Sequence, residues 1–254
     1  MTKARAKPKR QTGILPIQDI RELVAEGAIR SAVPLGATQI QPASLDLRLG
    51  DKAYRVRASF LPGSRTDAAA SVTDRLDDLA LHEIDLSVGA VLETGCVYVV
   101  PLQESLALPP DIAASANPKS STGRLDVFTR VIADGVPSFD TIPAGYEGQL
   151  YAEICPQTFP IVVRRGSMLS QIRFRVGDPV ERDADLTALH EKHTLVRGGV
   201  DGDIKSGIAL SVDLIGDKDG LVGYRAKRHT GLVDVDKSGA CAVLDYWEPI
   251  NSRG

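Results

Sequence analysis

Cysteine, aromatic side chains and long apolar runs are all scarce in this chain. Three cysteines in 254 residues, Cys96, Cys155 and Cys241, are odd in number and far apart. They make no disulfide framework and fit a reducing compartment. No apolar run approaches the roughly 18 residues of a membrane helix, and the N-terminus has no signal-peptide core. The sequence therefore predicts a cytoplasmic protein without a membrane partner. Positive charge is not in excess either. The formal net charge is −3, so bulk electrostatics do not attract a nucleic acid polymer, and only a local basic patch could do so. Aromatics amount to 5%, against 23 glycines and 15 prolines. That balance favours many short strands joined by turns over long packed helices.

Residues 1–12 read as a disordered basic tail; residues 1–11 alone hold five of the thirty lysines and arginines. From Pro16 to about Ile29, Ile17, Ile20, Leu23 and Val24 share one helical face. From Ile40 the period changes to two. Leu45, Leu47 and Leu49 alternate with polar residues, and so do Tyr54, Val56 and Ala58. Residues 63–80 read as a loop insertion. Strands are expected near 82–87, 91–93, 96–101, 104–107, 126–132, 148–155, 159–164 and 169–176. The expectation is a mainly β, jelly-roll-like barrel or sandwich with a short N-terminal helix, spanning 13–177. Residues 178–206 look like a charged connector, helical toward its end.

Residues 207–214 echo residues 40–47. Ser211-Val-Asp-Leu matches Ser44-Leu-Asp-Leu at an offset of 167 (211 minus 44), and Gly223-Tyr-Arg-Ala-Lys matches Ala53-Tyr-Arg-Val-Arg at a similar offset. The pair suggests an internal duplication, with 207–254 as a partial second copy, or else chance likeness of two amphipathic strands.

The most telling stretch is 119–153. Lys119-Ser-Ser-Thr-Gly-Arg124 is a basic, hydroxyl-rich turn, followed by a strand-like run. Pro143-Ala-Gly-Tyr-Glu-Gly148 is a glycine-punctuated turn before a second strand ending in Glu153. Donors for phosphates on one side and a base for water on the other suit a site that hydrolyses a nucleotide.

These motifs, with Ile40-Gln-Pro-Ala-Ser-Leu-Asp-Leu47 before them and Arg165-Gly-Ser-Met-Leu-Ser-Gln-Ile-Arg-Phe174 after them, resemble the zinc-free, trimeric deoxycytidine triphosphate deaminases. The resemblance implies a dUTPase-like distorted jelly roll and hydrolytic conversion of dCTP to dUTP and ammonia. It also implies a two-module protein represented here without much of its second module. By position it makes Glu153, Ser120 and Arg124 catalytic. It assigns Lys119, Ser120, Ser121, Gly123, Arg124, Tyr151, Ala152 and Glu153 to nucleotide binding, with Ala133 acting through its backbone carbonyl. No protein metal site is implied; Mg2+ would arrive mainly through the substrate triphosphate. The partners implied are the nucleotide and further copies of the chain in a trimer-like arrangement of modules.

The sequence also departs from that pattern. Lys119 stands where an arginine is usual. The Pro143–Tyr146 turn lacks the aspartate expected near the deoxyribose, and Asp140 is the nearest substitute. The C-terminal Tyr…Lys…Gln lid is not recognisable in 178–206. A dUTP diphosphatase, a bifunctional enzyme and a non-catalytic nucleotide-binding module stay open as alternatives. Zinc deamination needs His-x-Glu and Pro-Cys-x-x-Cys, which are absent; Cys155-Pro156 has the wrong order, and His190-x-x-His193 reads as part of a solvated connector. Arg164-Arg165-Gly166 is a hairpin turn, either solvated or reaching a neighbouring subunit's phosphates. Tyr246 and Trp247 read as core or interface residues.

Overall fold

The computed structural model describes residues 10–63, 71–197 and 204–252. The expected basic tail therefore falls largely outside the described residues. Its last part is ordered: Arg10 lies 3.5 Å from Glu22 and 3.7 Å from Glu26.

Strand β1 (Gly13–Ile14) leads into helix α1 (Ile17–Ala25), which buries Ile20 and Leu23 as the periodicity predicts. The helix stops four residues short of the expected end. Gly27 takes φ 74°, a left-handed turn that glycine adopts without strain, and the chain enters β2 (Ile29–Ser31). Then come β3 (Ile40–Gln41), β4 (Ser44–Leu47) and β5 (Lys52–Val56). The supposed loop at 63–80 contains helix α2 (Val72–Leu79), whose buried Val72 and Leu76 lie one turn apart. Ser71 caps it through Thr73 N, and Asp134 Oδ1 accepts from Val72 N at 2.7 Å.

Strands β6 (Ala80–Asp85), β7 (Ala90–Leu92) and β8 (Val97–Ala107) follow. Strand β8 is continuous where the sequence suggests a break around Pro101. The missing proline N–H is tolerated because the pairing of the adjoining strand shifts register between Gln149 and Tyr151. Strand β9 (Ile112–Pro118) was not expected. Its alanines and serine have little β propensity, but Ala114 and Ala116 are buried in mid-sheet. A single turn, α3 (Ser120–Arg124), leads to β10 (Val127–Ala133), β11 (Thr141–Ile142) and β12 (Glu147–Pro156). Before β12, Tyr146 N bonds Pro143 O at 3.2 Å and Gly145 takes φ 72°, the conformation a tight Pro-x-Gly turn requires. The remaining elements are β13 (Ile161–Val163), β14 (Ser170–Val176), α4 (Asp183–His193), β15 (Leu221–Ala226), β16 (Val233–Asp234), α5 (Val243–Tyr246) and β17 (Trp247–Asn251).

Two six-stranded sheets face each other. Sheet A runs β11-β9-β14-β4-β3 with β1 added on β14; sheet B runs β10-β12-β8-β5-β6 with β2 added on β8. Leu45, Leu47, Ile172 and Phe174 from sheet A meet Val100, Val131, Leu150 and Ala152 from sheet B in one core. The mainly β, jelly-roll-like expectation is borne out. One carboxylate crosses this core. Glu104, fully buried, accepts Arg48 Nε at 2.7 Å, Gln39 Nε2 at 2.8 Å and Arg48 N at 2.8 Å. Every oxygen is engaged, which is the condition for tolerating a buried ion pair.

The outer face of sheet B has a second, smaller core. Val56, Val72, Leu76, Val99, Ile132 and Tyr151 pack there beneath α2. Beyond 204 the echo is only half realised. Residues 221–226 form β15, paired with β17, but 207–214 form no strand, and Leu210, Val212 and Leu214 are exposed. In the first copy Leu45 and Leu47 are fully buried beside β14. The same alternation without a sheet beside it stays unpaired.

Candidate active site

The sheet order explains why three distant motifs belong together. Strand β14 lies between β4 and β9, with Gln171 opposite Asp46 on one side and Asn117 on the other. The next residues after β9 begin α3. Ser44 Oγ donates to Gln171 Oε1 at 3.1 Å, Lys119 Nζ pairs with Asp46 Oδ2, and Lys119 N donates to Leu169 O at 2.9 Å. Buried Thr122 donates its hydroxyl to the same Leu169 carbonyl at 2.9 Å. The bend is thus anchored from beneath, through Lys119 and Thr122. Ser120, Ser121, Gly123 and Arg124 are left exposed. Lys119, expected at the phosphates, has its charge engaged by Asp46, a residue whose partner the sequence did not reveal.

Glu153 sits on sheet B. Strand alternation puts Leu150, Ala152 and Ile154 in the sandwich core and turns Tyr151 and Glu153 to the outer face. The side chain is nevertheless only 2% exposed. Its cover is Arg130, directly opposite on β10. Arg130 donates Nε–H to Glu153 Oε1 at 3.1 Å, bonds the same oxygen through its NH2 group, and reaches Ser59 Oγ at 2.9 Å. The guanidinium lies 3.6 Å from the Phe139 ring centroid and 4.7 Å from that of Phe128. Both cation contacts fall on Oε1. Among the described residues Glu153 Oε2 is buried without a hydrogen-bond partner, so one oxygen is fixed and the other keeps its lone pairs open.

Asp140 joins this cluster. Its Oδ1 accepts Val131 N at 2.8 Å and its own N–H returns to Val131 O at 2.9 Å, holding φ at 59°. Burial raises its pKa first; the Val131 hydrogen bond and the Arg130 charge pull it back, and the Glu153 charge pushes it up. The substitute aspartate inferred from sequence is thus a neighbour of the candidate base.

The other candidate residues divide between these regions. Ala133 is buried, and its carbonyl accepts Val136 N at 3.2 Å. Ala152 is wholly in the core, and Tyr151 is 6% exposed with its hydroxyl 3.4 Å from Thr73 Oγ1. Tyr151 also lines a cavity of about 470 Å3 with Tyr54, His82 and Gln149. Ser121 and Arg124 line a different cavity of about 610 Å3, whose far side is formed by residues 233–247. Within one chain no hydrogen bond or ion pair joins the bend to Glu153 among the described residues.

Arg164 and Arg165 each pair with acidic side chains of their own chain. Arg164 forks onto Asp234 at 2.7 and 2.8 Å and reaches Asp236 at 3.2 Å, and Arg165 pairs with Asp51 at 3.0 Å. No group of three His, Cys, Asp or Glu side chains that could hold a metal occurs among the described residues. No helix among them is long and apolar enough to cross a membrane.

Residues 11–178 match the family described as the 2′-deoxycytidine 5′-triphosphate deaminase N-terminal domain, and residues 182–254 match its C-terminal domain. The chain belongs to the dCTP deaminase family. Its structure superposes on the crystal structure of 2′-deoxycytidine 5′-triphosphate deaminase from Agrobacterium tumefaciens with a TM-score of 0.91 and 60% identity, covering 96% of this chain and 72% of that one. A dCTP deaminase from Halorubrum lacusprofundi is 30% identical over 164 residues, 63% of this chain and 76% of that protein. A dUMP-forming dCTP deaminase from Beutenbergia cavernae is 29% identical over 171 residues, 66% and 83% of the two chains.

Ser120, Arg124 and Glu153 stand out in the sequence as motif positions, whereas the pairing of Arg130 with Glu153 and of Asp46 with Lys119 does not. The signal for Arg130 was the alternation of Phe128, Arg130 and Ile132 on a strand, which places them on one face; what lies opposite depends on a register the sequence does not print.

Proposed function

We propose that this chain carries out its family's reaction, hydrolysis of dCTP to dUTP and ammonia, with Glu153 as the general base. The observation that carries the reading is the buried Glu153 carboxylate, one oxygen held by Arg130 and the other unpartnered. A water placed at Oε2 gives up a proton as its oxygen bonds to C4 of the cytosine ring. Glu153 passes that proton to N3 as C4 becomes tetrahedral. The carboxylate then takes the remaining proton from the C4 hydroxyl and delivers it to the 4-amino nitrogen. The C4–N bond breaks, ammonia leaves, and the oxygen remains as the uracil carbonyl. Arg130 acts as a positioning residue. It fixes which oxygen faces the water.

The exposed bend supplies the anion site. Arg124 offers a fork of donors to phosphate oxygens, and the amides and hydroxyls of Ser120 and Ser121 add to it. Ala133, Tyr151 and Ala152 border the base side of the same reading. Mg2+ fits as an ion carried by the substrate triphosphate, which needs few protein ligands. Because Glu153 and the bend do not meet within one chain, we read the complete site as shared between copies in a trimer-like assembly. Residues 207–254 then stand as a second module after a connector at 178–206.

Replacing Glu153 by Gln keeps the shape and removes the base. Ammonia release from dCTP should fall about a thousandfold, with nucleotide binding retained. Unchanged turnover in that variant removes Glu153 from the mechanism. Because the Beutenbergia cavernae relative is dUMP-forming, the same assay should follow pyrophosphate. Its release in step with ammonia would make dUMP the product.

A further inference from the structure

We propose that the cavity between α3 and residues 233–247 is a nucleoside triphosphate site in which Lys237 joins Arg124 at the phosphates and an aromatic wall faces the nucleoside. The proposal rests on the reading of Arg124 as a phosphate ligand and adds to it a second half from the C-terminal segment. The cavity holds about 610 Å3, within the range of small-molecule sites. One side presents Ser121 and Arg124. The other presents Lys237 and the small residues Ser238, Gly239 and Ala240, and Tyr224, Tyr246 and Trp247 complete the wall.

The wall is rigid. Buried Phe159 meets the rings of Tyr246 and Trp247 edge-on, with centroids 5.7 and 5.2 Å apart and both interplanar angles 77°. Tyr246 OH donates to Leu232 O at 3.0 Å. The segment carrying Lys237 is clamped to the sandwich. Strand β16 pairs in parallel with β13, Arg164 forks onto Asp234, and Ser167 Oγ donates to Asp236 Oδ2 at 2.7 Å.

Charge decides the ligand class. Asp234 is the acidic group in the lining, and the Arg164 fork neutralises it, holding its carboxyl well below the usual range. Lys237 Nζ lies 3.2 Å from Asp234 Oδ2 with its side chain 66% exposed, so its charge remains open to an incoming anion. Two cations, hydroxyl and backbone donors and a flat aromatic surface match a molecule with an anionic end and a ring.

Trp247 is the chain's single tryptophan, so its emission reports on this cavity alone. The Glu153→Gln chain, which binds without turnover, is titrated with Mg2+ and dCTP. A saturable change in emission is expected. Lys237→Ala should weaken the apparent affinity roughly tenfold, the scale of one charged hydrogen bond, and Lys237→Arg should restore it. Deoxycytidine should bind far more weakly than dCTP. An absent saturable response, or a Lys237→Ala chain with unaltered affinity, overturns the proposal. Equal responses to tripolyphosphate and dCTP overturn its nucleoside half. Ammonia release by the wild-type chain without an emission change sinks this site and leaves Glu153 standing. Unchanged turnover in Glu153→Gln sinks the base and leaves the cavity untouched.

Discussion

Glu153 and the Ser120–Arg124 bend are opposites in their physical state. The carboxylate is 2% exposed, locked by a guanidinium that two aromatic rings and Ser59 hold in turn. The bend is fastened underneath by Thr122 and Lys119 but turns Ser120, Ser121 and Arg124 to solvent, with no side-chain partner among the described residues. The first arrangement is settled by folding: cross-strand register puts Arg130 beside Glu153 before any substrate arrives. The second is completed only when an anion comes. A base needs fixed direction and a fixed charge state. A phosphate grip needs unspent donors. The difference in burial between the two regions matches the difference in the chemistry assigned to them.

The comparison can be broken at its exposed end first. Arg124→Ala should raise KM for dCTP about a hundredfold with a smaller change in kcat, because a charge-assisted fork is lost from binding. Arg124→Lys should recover only part of this, since the charge returns without the planar fork. Steady-state kinetics at fixed Mg2+ decide it. An equal fall in kcat with KM unmoved would place Arg124 in the chemical step instead.

At the buried end, Arg130→Gln should lower kcat roughly tenfold with little change in KM. Arg130→Lys should recover only part of the loss, since the charge returns without the fork that fixes Oε1. An Arg130→Gln chain that folds and keeps the wild-type kcat would reduce Arg130 to packing.

The mildest change sharpens the electrostatics around Glu153. Burial raises the Asp140 pKa, so the protonated form is favoured by folding. Its contribution to stability is present below the ordinary carboxylate range and is lost as pH rises through the folded-state value. Asp140→Asn removes that loss while its Oδ1 can still accept Val131 N. The melting temperature of the variant relative to wild type should therefore be a few degrees more favourable at pH 7 than at pH 4. The reverse trend would mean that attraction to Arg130 outweighs burial.

Legibility in the sequence followed the same division. Ile17, Ile20 and Leu23 gave α1 because a helical stripe is a local signal. Residues 44–47 and 170–176 gave strands because alternation is local too. Strand β9 escaped because Ala113, Ala114, Ser115 and Ala116 carry little β preference and owe their place to β14 and β11 beside them. Helix α2 escaped because only Val72 and Leu76 in a polar stretch show its buried side. At the site, Ser120, Arg124 and Glu153 were legible as motif positions. Arg130 was not, because its meaning lies in a partner 23 residues along the chain. Nor was the Lys119–Asp46 pair, which spans 73 residues. The echo at 207–214 shows the converse: a sequence with the pattern of β4 that lacks the neighbouring strand which makes β4 a strand.

The central claim is that Glu153 of one copy works on a nucleotide held by the Ser120–Arg124 bend of another. Mixing two inactive chains tests it directly. Glu153→Gln and Arg124→Ala are each purified, shown to fold, then unfolded and refolded together. In a shared-site assembly about one quarter of the sites should be intact, and ammonia release from dCTP should return to a matching share of the wild-type rate. Mixed assemblies that form and release no more ammonia than the separate variants would contradict the account.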